Sequence, residues 1–242
     1  MYPLDMESLP GASAPVLGRA LLTRVHELNC DYLDLLRTRR YDVAAPSASA
    51  LSAKVLNALA ELSPARRRAL AAVPYTLYSL GFEDQELWRQ HAATGTAVGA
   101  DRRYFAIEAA SALQAFCEVA LFHAWHVAVL HPFAARVVYS LPDATAARLV
   151  VTPLWHLRWI ARTGPSLLLP RWPTNPCFWS DLVRFASEGD ERRLRTAQLL
   201  GSQLIAAELQ AAAYDAEQLP LAAKPVLSPR LRARRLRFAS AP

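Results

Sequence analysis

Between Arg19 and Arg39 apolar residues return every three or four positions, at Leu21, Leu22, Val25, Leu28, Tyr32, Leu35 and Leu36, which predicts a helix with one broad buried stripe. A loop of Ala, Pro and Ser follows over 41–49, and 51–62 predicts a shorter helix. Ser63-Pro64 then marks a helix start, because serine caps free amides and proline at the first helical position sacrifices no hydrogen bond. That third helix runs to about Ala72, a short apolar connection spans 74–80, and 82–90 carries Glu83, Asp84, Leu87 and Trp88. A glycine-containing loop is expected over 93–100.

Asp101 is expected to cap a long apolar helix that stops before Pro132. Helices at 133–140, 143–150 and 153–161 come next, then a packed irregular segment over 162–176 rich in proline and aromatics. Helix resumes at 178–187, and a last long helix over 190–214 keeps Leu194, Ala197, Gly201, Leu204 and Ile205 near one face. No stretch alternates apolar and polar residues for long, so the fold class read here is all-α. Its expected form is two similar helical-hairpin units packed around a long central apolar helix.

Composition strengthens that reading. Of 242 residues 53% are hydrophobic and only 8 are glycine, so a substantial core is affordable and helices are favoured over sheets. The 17 prolines must then punctuate helices rather than interrupt them. The resulting division is a flexible N-terminus over 1–18, helical units over 19–92 and 101–218, and a basic tail over 219–242.

Charge changes the picture only at that tail. The formal net charge is +6, and five arginines with no acid fall within the last fifteen residues, Arg230, Arg232, Arg234, Arg235 and Arg237. Nucleic acid is therefore a candidate partner through the tail; the alternative is a solvated basic end that aids solubility or pairs with acids on the body. Ser228-Pro229 repeats the cap-plus-proline start, so a short helix would align Arg230, Arg234 and Arg237.

Cys30, Cys117 and Cys177 are too few and too scattered for a disulfide framework or a four-cysteine zinc site. With acids at Asp5 and Glu7 where a signal peptide would be basic, a cytoplasmic location is expected. Residues 111–130 hold a single formal charge, Glu118, which raises a membrane span; a buried central helix accounts for the same pattern, and no span is expected.

The two halves read alike. Ser63-Pro64 faces Thr152-Pro153, Leu70-Ala71 faces Ile160-Ala161, and at a spacing of 90 Leu77 meets Leu167, Phe82 meets Trp172 and Trp88 meets Phe178. Either the chain is a divergent duplication, or a restricted Ala/Leu/Arg vocabulary makes two hairpins look alike.

Several of these residues carry a family resemblance. The run Leu28-Asn29-Cys30-Asp31-Tyr32-Leu33, the Ser63-Pro64 helix start, Ala71, Leu77 and the turn Phe82-Glu83-Asp84 resemble FlhD, the flagellar transcriptional activator subunit. In the second half Ala135-Arg136, Leu141, Ala144-Thr145, Arg148-Leu149 and residues 170–179 are similar both to FlhD and to the helical part of its partner FlhC. The turn here lacks one aromatic of the family pattern, residues 38–49 depart from it, and the four-cysteine zinc site of FlhC has no counterpart. The resemblance implies an all-α fold, a homo-oligomer or pairing with a related helical subunit, and action at promoters through a complex.

Candidate chemistry is sparse. Cys117, His123, His126 and His131 have metal-ligand residue types, but only His123 and His126 share a helix face, so core histidines are the simpler reading and no metal or other cofactor is expected. Trp155, Trp159, Trp172 and Trp179 concentrate large aromatics in one stretch, either as core or as a partner-binding surface. No nucleophile elbow, phosphate-binding glycine loop or His-Glu-x-x-His is present, and no catalytic residue is assigned. The function expected is that of a helical transcriptional regulator working through protein and DNA contacts; the alternative is an adaptor or accessory subunit of a secretion or flagellar apparatus that never meets DNA.

Overall fold

Several helix starts are written in a few residues. Ser52 and Ser63 accept hydrogen bonds from the amides of Val55 and Arg66, and Pro64 supplies the preset first turn. Ser111 and Gln114 form a reciprocal capping box. Asp84 and Asp190 accept from the amides of Leu87 and Arg193. The structure, a computed structural model, describes residues 17–38, 50–98, 111–163 and 167–218.

Within these residues lie ten helices: α1 (Arg19–Thr38), α2 (Ala53–Glu61), α3 (Pro64–Ala71), α4 (Gln85–Val98), α5 (Ala112–Leu130), α6 (Pro132–Tyr139), α7 (Asp143–Val151), α8 (Leu154–Thr163), α9 (Phe178–Glu188) and α10 (Glu191–Gln218). The fold is all-α apart from two short strands, β1 (Tyr78–Ser79) and β2 (Leu169–Pro170), which pair antiparallel with Ser79 opposite Leu169. Both strands lie in segments expected to be irregular. Two residues per strand leave no alternation to read, and the pairing is held by long-range burial rather than by local propensity.

Two further expectations are corrected. The loop expected over 93–100 is helical as far as Val98, because an alanine-rich run tolerates the single Gly95. The cap of the long apolar helix is Ser111 rather than Asp101, which lies outside the described residues.

The packing follows the spacing of 90. Helix α7 begins and ends 90 residues after α2, and α8 begins 90 residues after α3. Helix α1 packs on α2 and α3, as α5 packs on α7 and α8. The closing helices are exchanged: α9 packs on α2 and α3 of the first unit, and α4 packs on α7 of the second. Ser79 and Leu169, themselves 90 apart, face each other across the strand pair, and α1 packs on α5. Antiparallel pairing of corresponding segments is what a two-fold relation produces. Helix α10 lies outside this correspondence, packed along α9.

Helix α5 touches α1, α6, α7 and α8 and buries Leu113, Phe116, Ala120, Leu121, Ala124 and Val127. It is also the one described helix long and apolar enough, by length and composition, to cross a membrane.

Candidate partner-binding surface

The motif residues of the first unit form one bonded cluster. The Asn29 amide donates to the carbonyls of Ala71 (3.2 Å) and Tyr75 (2.8 Å), and its oxygen accepts from the amide of Leu77 (2.8 Å). Asn29 is wholly buried, so each bond satisfies a group that water cannot reach. Tyr32, one turn on, tilts against Tyr78 and Phe116. Thus α1 is stapled to the chain that leaves α3 and enters β1.

A second polar centre lies where the two units and α10 meet. Arg171 is 4% exposed and donates from Nη1 to the carbonyls of Val138 (3.1 Å) and Thr76 (3.4 Å) and from Nη2 to Ser140 Oγ. Glu208 of α10 faces it at 3.5 Å and accepts from Ser140 Oγ and Trp172 Nε1. Burial pulls the Arg171 guanidinium down to about 10, opposed by Glu208, and it stays charged. Ser140 (φ 49°) and Trp172 (φ 50°), the two non-glycine residues with left-handed backbone among those described, both bond to this centre. It holds the turn into α9, the end of α6 and the last helix together. Sequence reasoning passed over Arg171; the available signal was a lone charge directly after the apolar run Leu167-Leu168-Leu169-Pro170.

The four tryptophans do not form one surface. Trp179 is buried and donates to the Arg171 carbonyl at 2.7 Å, and Trp172 is partly buried against Tyr75 and Phe178. Trp159 packs partly buried beside His91 and His156, while Trp155, stacked on His156, is exposed. The aromatic density over 172–179 is therefore core, because its rings fill the space between β2, α9 and the Tyr75 turn. Of the four, Trp155 alone is an open apolar side chain. It has company there: Val151, Leu154 and Val119 are also strongly exposed.

Between α1 and α3 runs a groove of about 540 Å³ lined by His26, Glu27, Cys30, Asp31, Asp34 and Arg68, among others. Burial raises the Asp31 carboxyl, with Asp34 and Glu27 adding to it, and burial raises the Cys30 thiol, with Asp31 and Asp34 adding and Arg68 and Arg67 opposing. Such a thiol is a poor nucleophile. Asp34 is bridged by Arg67 at 3.1 Å.

His123 Nδ1 and the Tyr139 hydroxyl share a hydrogen bond, and burial pushes the imidazole down to about 4, with His126 and Arg24 contributing. It is a neutral core histidine. Among the described residues no group of three or more His, Cys, Asp or Glu is placed to hold a metal. The basic tail with Arg230, Arg232, Arg234, Arg235 and Arg237 lies outside the described residues.

No family model, curated protein or solved structure matches the chain.

Proposed function

We infer that the chain is a regulatory subunit of the FlhD and FlhC kind, acting at promoters as part of a complex whose affinity comes from helix faces and whose DNA contact comes from the arginine tail. What supports the reading is the Asn29 staple. The residues that carry the resemblance, Asn29, Tyr32, Ala71 and Leu77, are joined by buried bonds and contacts into the frame of the first unit. Their shared role in that frame is what supports the resemblance.

Promoter occupancy mapped in cells tests it. Enriched genomic sites are expected, together with DNA binding in vitro whose log affinity falls by about 0.9 per neutralised phosphate as salt rises. Removal of residues 228–242 should flatten that dependence. An absence of enriched sites favours the adaptor reading, for which the exposed apolar side chains around Val151 are the specific support.

A further inference from the structure

The two closing helices rest on corresponding faces, and the chemistry of those faces differs. At the spacing of 90, His91 of α4 corresponds to Asp181 of α9, and His156 of α8 corresponds to Arg66 of α3. Where α9 meets α3, Arg66 donates to the Ser187 carbonyl, and Asp181 is bridged by Arg184 at 2.8 Å. Helices α2, α3 and α9 contain no histidine, so that contact holds only charges that stay fixed between about pH 5 and about pH 7.

Where α4 meets α7 and α8, the corresponding groups are two imidazoles. Trp159 touches both: His91 lies edge-on to it at 6.2 Å, and His156 tilts against it at 5.6 Å. Trp88 packs edge-on to His91, and Trp155 stacks on His156. His156 is 3% exposed, and the Nε2 atoms of both rings are buried without a hydrogen-bond partner among the described residues. The charged groups of these helices are engaged elsewhere. In α4 Glu86 holds Arg89, in α7 Asp143 holds Arg136 while Arg148 donates to the Gln85 carbonyl, and in α8 Arg158 holds Glu118. Arg162 of α8 is a further cation. Burial lowers both imidazoles from 6.5; the His91 ring deepens the effect on His156, and a hydrogen bond with the His91 carbonyl opposes it.

We propose that α4 is an acid-released latch: protonation of His91 and His156 lifts it from α7 and α8, uncovering the Trp155 and Trp159 face of α8, while α9 stays on α2 and α3. A proton on either ring adds charge at a buried nitrogen with no acceptor, beside a second ring that the same acid charges, and opening the contact returns both rings to water. Above 6.5 both rings are neutral whether the helix is docked or released, and the latch holds. As pH falls below 6.5 the released form takes up protons that the docked form refuses, and release gains. The inference stands apart from the regulatory reading above, because neither promoters nor the arginine tail enter it.

Hydrogen exchange on the full chain, corrected for the intrinsic effect of pH, decides it. Between about pH 7 and about pH 5 the amides of α4 should lose protection on the order of tenfold or more, while those of α9 keep theirs. His91→Phe, which keeps a ring against Trp88 and Trp159, should reduce the response, and adding His156→Gln should abolish it. Because His156 is the more deeply buried of the two, His91→Phe alone carries the test if the double variant does not fold. His123→Gln should leave the α4 response as in the wild type. The proposal is overturned if α4 protection does not change with pH, or if α4 and α9 lose protection together. It is equally overturned if His91→Phe responds as the wild type does, or if His123→Gln removes the response, which would assign the acid effect to the central helix α5.

Discussion

The hydroxyl of Tyr75 lies where the Cβ of any residue other than glycine at 201 would sit. A Cβ built on Gly201 would stand 2.1 Å from that oxygen, and Tyr75 uses the same hydroxyl to donate to the Gln198 carbonyl at 2.7 Å. Gly201→Ala should therefore destabilise the protein by roughly 1–3 kcal/mol through overpacking, although alanine favours an isolated helix. Urea unfolding reads this, and adding Tyr75→Ala should remove the clash, so that alanine at 201 costs nothing further. Equal effects in both backgrounds would place the cost elsewhere.

Asn29→Leu keeps the volume of the staple and removes all three of its buried bonds. The Tyr75 carbonyl and the Leu77 amide lose their partner while the Ala71 carbonyl keeps only the Val73 amide, and a loss of about 2–4 kcal/mol is expected. Asn29→Asp should be at least as damaging, because a carboxylate would face the Ala71 and Tyr75 carbonyls that now accept. Stability close to wild type in both variants would show that the staple is dispensable.

Arg171→Met should cost roughly 3 kcal/mol, since Glu208 loses its buried partner and the Thr76 carbonyl loses a donor. Arg171→Lys should not rescue it, because one ammonium cannot reproduce the forked contacts to Val138, Thr76 and Ser140. Exchange of the amides in α10 would show the last helix loosening first.

Acid should weaken the fold through His123. Its folded value of about 4 lies below the ordinary 6.5, so above that ordinary value both states are neutral and nothing is lost. As pH falls from 6.5 toward 4 the unfolded chain takes up a proton that the folded chain refuses, and stability drops. His91 and His156, both lowered by burial, act in the same direction. The urea midpoint of His123→Gln, which can still hydrogen-bond to Tyr139, should fall less than wild type over this range; parallel curves would exclude the assignment.

Local signals carried the helices. Ser63-Pro64, the apolar stripe of α1 and the Asp190 start of α10 all announce themselves within a few residues, because caps and amphipathic periods are local physics. What stayed hidden is what depends on partners far along the chain. Arg171 has no neighbour in sequence that would identify Val138 or Glu208 as its contacts, and the Ser79–Leu169 pair joins residues that only the folded core brings together. The tryptophans show the same limit from the other side: spacing placed them in one group, whereas burial divides Trp179 from Trp155.

The exchange of α4 and α9 has a consequence for growth of the architecture. Each unit lends its closing helix and receives one in return, so among the described residues both closing helices are seated. A third copy appended to such a chain would find no vacant seat. The arrangement is thus self-limiting in the way a ring is and a filament is not, and enlargement has to proceed by adding a different element outside the exchange, which is the place α10 occupies.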